Sequence, residues 1–264
     1  MKLNIVPART GWLWVKLGLK TFFRQPLAMS GLFFLFMAAV TVASMIPLIG
    51  TVVGLALLPA ATLGLMAATE QAHRGKFPMP SILISAFRAG RRRLTAMIIL
   101  GLMYAAGFLI IIGISTLIDG GLLASLYLGA EGGMKLEVMQ KPEFQTALWT
   151  CMALYVPFSL LFWHAPALVH WHEISPVKSL FFSFVACLRN IRALTVYGLA
   201  WLGLLMLASL VVAVGTTVLG GPTVAAASLV PLAMLLAAMF TTSIFFTFRD
   251  TFDPHDESSG EGQA

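Results

Sequence analysis

Six stretches of the chain, residues 27–46, 48–68, 95–118, 146–169, 194–218 and 225–247, contain no Asp, Glu, Lys or Arg. Each is long enough to cross a bilayer as a helix, because about 20 residues rising 1.5 Å apiece match a hydrocarbon layer of about 30 Å. Hydrocarbon offers no partner to a backbone N–H or C=O, and a helix satisfies both along its own ladder. The chain around these stretches is 59% hydrophobic and 11% charged. An ordinary soluble domain carries about 25% charged residues and needs them to cover its surface. The sequence therefore predicts an all-α fold, a polytopic transmembrane bundle of six helices. One transmembrane domain covers residues 1–247, and an acidic tail at 248–264 is expected to be disordered. Pro47 separates the first two spans and Gly220-Gly221-Pro222 the last two, both as tight turns.

The basic residues then orient the bundle. Lys2, Arg9, Lys16, Lys20 and Arg24 precede the first span, and Arg74, Lys76, Arg88, Arg91, Arg92 and Arg93 lie between the second and third. Lys178, Arg189 and Arg192 lie between the fourth and fifth, and Arg249 follows the sixth. With six spans all of these fall on one side; five or seven would scatter them. The opposite loop, residues 119–145, holds Lys135 and Lys141 against Asp119, Glu131, Glu137 and Glu143. The asymmetry predicts an inner (plasma) membrane protein with both termini in the cytoplasm. The first apolar run begins near Leu27, behind a basic amphipathic stretch, which does not read as a cleavable leader. A net charge of +6 placed beside apolar runs points to anionic lipid headgroups as partners and away from nucleic acid. Cys151 and Cys187 are expected near opposite faces, so no disulfide joins them, and no cofactor is implied.

Three segments on the basic side begin at Pro7, Pro80 and Pro176 and read as amphipathic helices. In the first, Lys16, Lys20 and Arg24 form a basic line, while Trp12, Leu13, Trp14, Leu17, Leu19, Phe22 and Phe23 cover the rest. In the second, Ser81, Ser85, Arg88 and Arg92 form the polar stripe, with Leu83, Ile84, Phe87 and Leu94 away from it. In the third, the small polar stripe is Ser179, Ser183, Ala186 and Asn190, flanked by Lys178, Arg189 and Arg192 and opposed by Leu180, Phe181, Phe184, Leu188 and Ile191. Each leads into a pair of spans, which predicts a threefold repeat of interfacial helix plus hairpin over residues 7–68, 80–169 and 176–247. Phe87 aligns with Phe184, Arg92 with Arg189, and Gly101 with Gly198. Apolar faces of such helices sink into the headgroup boundary and their Lys and Arg reach lipid phosphates. The expected anionic-lipid contacts are Lys16, Lys20, Arg24, Arg88, Arg91, Arg92, Arg93, Lys178, Arg189 and Arg192. Small residues four apart predict packing seams: Ala56, Ala60, Gly64 and Ala68 on the second span, Ala39 and Ala43 on the first, Ala233 and Ala237 on the sixth.

His164, His170 and His172 end the fourth span within W-H-A-P-A-L-V-H-W-H-E. On a helix, His164 and His172 are roughly 12 Å apart along the axis, and His170 and His172 face about 200° apart. That spacing does not suit a zinc site, which takes ligands from adjacent turns. His164 lies inside the span and is the candidate functional or pH-responsive group, with His170 and His172 at the rim. There is no H-E-x-x-H, G-x-S-x-G, phosphate loop or intramembrane carboxylate pair.

The strings I-V-P-A-R-T-G-W-L-W-V-K-L-G, F-F-R-Q-P-L, G-K-F-P-M-P-S, F-W-H-A-P-A-L-V-H-W-H and S-P-V-K-S-L-F-F-S resemble a family of six-helix inner-membrane proteins of proteobacteria over nearly the whole chain. More distantly, the layout is similar to YciC-like proteins and to the membrane domain attached to some glycerophosphodiester phosphodiesterases. The resemblance implies a six-helix membrane fold and assigns no functional residue. The first expectation is a non-enzymatic protein that organises lipid or partner proteins. The alternative is a transporter or channel for an apolar or weakly polar solute. A lipid enzyme using the three histidines ranks last.

Overall fold

A computed structural model describes residues 2–47, 49–128, 136–219 and 222–252, all of them helix, turn or coil. In chain order the α-helices are α1 (Thr10–Arg24), α2 (Pro26–Ser44), α3 (Gly50–His73), α4 (Ser85–Arg88), α5 (Arg91–Asp119), α6 (Leu122–Leu128), α7 (Leu136–Met139), α8 (Pro142–Phe162), α9 (Ala165–Trp171), α10 (Pro176–Arg189), α11 (Ile191–Leu219) and α12 (Pro222–Phe252). Six segments are long and apolar enough to cross a membrane: Pro26–Ser44, Gly50–His73, Arg91–Asp119, Pro142–Trp171, Ile191–Thr216 and Ser228–Phe252. They match the six expected stretches in order.

Local chemistry explains the joins. Pro26 opens α2, where its missing N–H is not needed, and Gln25 before it is held out of the helix. The turn between α2 and α3 is so tight that a Cβ on Gly50 would stand 2.2 Å from the Ser44 carbonyl oxygen. Asp119 ends α5, and its carboxylate accepts the N–H groups of Gly121 (2.9 Å) and Leu123 (2.7 Å), capping α6. Pro59, Pro157 and Pro231 lie inside continuous helices, whereas Pro166 follows the break between α8 and α9.

The three proline-led segments take three forms. The first is the 15-residue α1, and the third is the 14-residue α10. The second is a 3₁₀ stretch, Pro80–Ile84, followed by the four-residue α4. Gly90, at φ 95°, then turns the chain into α5, so Arg91, Arg92 and Arg93 form the first turn of a span rather than continuing a helix with Arg88. Gly101 lies so close to Ala56 that a Cβ would stand 2.1 Å from its carbonyl oxygen, while its repeat partner Gly198 has nothing within 4 Å.

The chain forms two compact units. The first comprises Met1–Leu35, Thr62–Ser85 and Val185–Ala264. Here α1 packs on α11 and α12 through Gly11, Trp14, Val15, Gly18, Thr21 and Phe22, spaced as one face of a 3.6-residue helix. A Cβ on Gly11 would be 2.1 Å from the Ala193 carbonyl oxygen, and one on Gly18 would be 2.4 Å from Ser243 Cβ. Trp14 and Phe22 are therefore core residues, contrary to the expectation that they face lipid; Trp12, Leu13 and Phe23 remain exposed. The last helix runs to Phe252, past the expected end of the domain at 247, and Thr251 and Phe252 are buried. Residues 253–264 of the expected acidic tail lie outside the described residues.

The second unit comprises Phe36–Ala61 and Ala86–Phe184. Its core includes Ile111, Leu123, Phe144, Ala147 and Cys151. Helix α10 is divided between the two units, with residues up to Phe184 in the second and from Val185 in the first. Its small polar residues Ser179, Ser183, Ala186 and Asn190 are all buried, and Phe181, Phe182 and Leu188 are exposed. Ala60 in the second unit and Ala68 in the first, both of the α3 seam, are buried, whereas Ala39 in the second unit and Ala233 in the first are exposed, so the expected seams on α2 and α12 are not packed at those positions. Cys151 and Cys187 are both buried, and no disulfide joins them.

Candidate functional site

At the basic end of the second unit, the first turn of α5 faces the loop that follows α9. They enclose a cleft of about 410 Å³ lined by Arg92, Arg93, Thr95, Ala96, Ile99, Val169, Glu173, Ile174, Ser175 and Pro176. Two guanidiniums stand at its rim and aliphatic side chains form its wall. Glu173 adopts φ 54°, a left-handed conformation uncommon outside glycine, at the end of α9. The N–H groups of His172 and Ile174 both reach back to the Leu168 carbonyl, at 3.2 and 3.3 Å, and close the helix end. This turn aims the Glu173 carboxylate at Arg93, with which it forms an ion pair. The hydrogen bond from Arg93, and then its charge, hold the Glu173 carboxyl below its ordinary value. Arg91 and Arg92 have no such acidic partner among the described residues. Gly90 supplies no side-chain cap, so the leading N–H groups of α5 lack one.

His164 lies at the break between α8 and α9 and is 2% exposed. In an unbroken helix its N–H would bond the Leu160 carbonyl. Instead the Ser183 hydroxyl stands between them, accepting from His164 N–H at 2.9 Å and donating to the Leu160 oxygen at 2.8 Å. Pro166 cannot donate to the Phe162 carbonyl, so the ladder is already interrupted there, and the hydroxyl of α10 fills the gap. His164 thus has a structural setting as the residue around which span four breaks. His170 lies on α9 with its ring 6.0 Å from that of Trp171, and His172 caps the helix. Among the described residues no three His, Cys, Asp or Glu side chains converge on a metal position.

The first unit carries a polar node that the sequence reading missed. Asp250, assigned there to the tail, accepts the indole N–H of Trp14 at 2.8 Å and pairs with Arg249 at 2.7 Å. Arg249 lies over the Phe246 ring at 5.1 Å and approaches His73 Nε2 at 3.5 Å. Arg24 donates to the His73 carbonyl at 3.1 Å, placing a cation at the C-terminus of α3. Asn190 ties down the N-terminal coil by accepting from Val6 N–H at 2.8 Å and donating to the Asn4 carbonyl at 3.0 Å. These partners are up to 236 positions apart, and no local pattern announces them.

Of the expected lipid contacts, Lys16, Lys20 and Arg24 are exposed on α1, Arg88 on α4, and Lys178 and Arg189 on α10. Arg91 and Arg92 are exposed at the start of α5 and Arg192 at the start of α11, while Arg93 is half-buried against Glu173. The structure brings Arg92 and Arg93 together in the cleft. Glu173, the last residue of the histidine-rich string that ends the fourth span, is the partner of Arg93.

No protein-family model matches the chain, and no solved structure matches it. A Burkholderia thailandensis protein named a probable inner membrane protein is 37% identical over 255 residues, covering 96% of this chain and 94% of that protein. The alignment runs almost end to end, over a chain with six helices able to span a membrane. The protein therefore belongs to this family of multi-pass inner-membrane proteins.

Proposed function

We propose that the protein binds anionic lipid at the cytoplasmic face of the inner membrane and organises it there without transforming it. The observation that carries this reading is the cleft at the start of α5, with Arg92 and Arg93 above Ile99, Val169 and Ile174. Three arginines in the first turn of a helix oppose its dipole, at about 0.3–1 kcal/mol each. A phosphate seated above them offsets that cost and meets the N–H groups left open at Gly90. The aliphatic wall selects a lipid over a free anion, because it offers the first carbons of an acyl chain a dry surface. The exposed Lys16, Lys20, Arg24, Lys178, Arg189 and Arg192 add a diffuse attraction of about 1 kcal/mol each near a charged surface. With six spans the basic segments of the chain alternate to the same side, which supports a cytoplasmic placement of both termini.

The test is native mass spectrometry of protein released from its own membrane, with lipid exchange between phosphatidylglycerol and phosphatidylcholine. At about 1 kcal/mol per charge, the double substitution R92Q/R93Q lowers phosphatidylglycerol retention about thirtyfold and leaves phosphatidylcholine unchanged. E173Q frees Arg93 and raises retention. Equal retention of both lipids by wild type and double variant refutes the reading.

A further inference from the structure

A pair of tyrosine hydroxyls lies at mid-depth in the spans of the second unit, deeper along α5 than the arginine cleft. Tyr104 is at the middle of α5, roughly 20 Å from either end at 1.5 Å per residue. Tyr155 is at the middle of the Pro142–Trp171 span. Their hydroxyls meet at 3.2 Å. One hydroxyl donates to the other, and the second proton has no acceptor among the described residues. Water is scarce at this depth, and an unmet donor in hydrocarbon is costly.

Two apolar cavities open beside this pair. One, of about 420 Å³, is lined by Tyr155, Phe108, Tyr127, Leu123, Met152 and Val156 among others. The other, of about 260 Å³, is lined by Tyr104, Phe108, Tyr127, Ser44 and Leu55 among others. Phe108 and Tyr127 border both, meeting edge to face with centroids 5.8 Å apart. Each tyrosine of the hydroxyl pair therefore faces a different cavity, and the aromatic pair stands between them. Each volume is near the small end of ligand sites, and together they fall well within that range.

The geometry points to a binding site for an apolar molecule carrying a carbonyl acceptor, its body in the cavities and its oxygen on the spare Tyr104–Tyr155 proton. A bulk phospholipid does not meet this description. Its ester carbonyls stay at the interface, about 15 Å from the middle of the layer. Charged groups are excluded, since none of the lining side chains could neutralise them. A quinone with an apolar tail and a long-chain ketone share the required chemistry.

Wild-type protein in lipid nanodiscs would be titrated with three probes: an alkyl benzoquinone, a dialkyl ketone, and the alkane of equal length. The carbonyl probes bind saturably and the alkane does not. The double substitution Y104F/Y155F keeps the rings and removes both hydroxyls, weakening the carbonyl probes about tenfold. V156W, at an exposed position, fills the larger cavity and abolishes saturable binding, while thermal unfolding confirms that the variant is folded. Preference for the quinone or for the ketone names the source of the carbonyl. Equal binding of carbonyl probe and alkane, or carbonyl binding that survives both sets of substitutions, overturns the assignment. Neither result touches the arginine cleft, so the two sites stand or fall separately.

Discussion

Removing the Ser183 hydroxyl opens the ladder of span four. In Ser183→Ala, His164 N–H loses its acceptor at 2.9 Å and the Leu160 oxygen loses its donor at 2.8 Å. Each bond contributes about 0.5–1.5 kcal/mol net. Measured couplings between transmembrane helices average about 0.6 kcal/mol, which puts the pair nearer the low end. The expected loss is about 1–2 kcal/mol. Little is added for a cavity, because one oxygen atom is removed. Ser179→Ala is the matched control: Ser179 is also buried, but its hydroxyl donates only to its own helix, to Pro176 at 2.7 Å. Its expected cost is a few tenths of a kcal/mol. Stability would be read by titrating folded protein in mild detergent with dodecyl sulfate, and the local effect by hydrogen exchange at the His164 amide. Ser183→Ala should unfold earlier than Ser179→Ala and expose that amide to faster exchange. Equal unfolding of the two variants, with unchanged exchange at His164, refutes the inserted-hydroxyl account.

Glycine substitutions separate contact from open surface. Gly11→Ala and Gly18→Ala each drive a Cβ into a neighbouring helix and should cost about 1–3 kcal/mol, whereas Gly198→Ala has open space and should gain up to about 1 kcal/mol. The same detergent titration checks both. Trp14→Phe keeps an aromatic ring but removes the N–H that Asp250 accepts and leaves a small void at a buried position. The bond to the charged group contributes about 1.5–3 kcal/mol of the expected loss, and a double-mutant cycle with Asp250→Asn separates it from the void. Glu173 also sets a pH dependence. Its carboxyl is depressed when folded, so the Arg93 pair is intact above the ordinary carboxylate value and is lost as pH falls through the lower folded value. Anionic-lipid retention should therefore rise on acidification below the ordinary range and become flat in E173Q. A His170→Gln background removes the other titratable side chain near Arg93.

The distribution of apolar residues along the chain determined the six spans and their order. These are short-range properties: any window of about 20 residues without charge meets the same constraint from hydrocarbon, whatever its neighbours. The resemblance to a six-helix family was legible in the same local strings. Which side of a helix is buried was not legible. Trp14 and Phe22 look identical in sequence to the exposed Trp12 and Phe23, because in a membrane protein both the lipid and the core accept apolar groups. Helix-start signals likewise suggested three equivalent surface helices, and Gly90 divided the second, since a backbone at φ 95° cannot continue a helix. The pairs that build the sites lie far apart in the chain: Arg93 with Glu173 across 80 positions, Tyr104 with Tyr155 across 51, and Trp14 with Asp250 across 236. A polar group in such surroundings gains most from whichever partner the packed helices bring to it. That partner is chosen by backbone approach at Gly11, Gly18 and Gly101, a tertiary property. The sequence by itself determined where the membrane is crossed, and the tertiary structure alone decided which polar groups meet inside it.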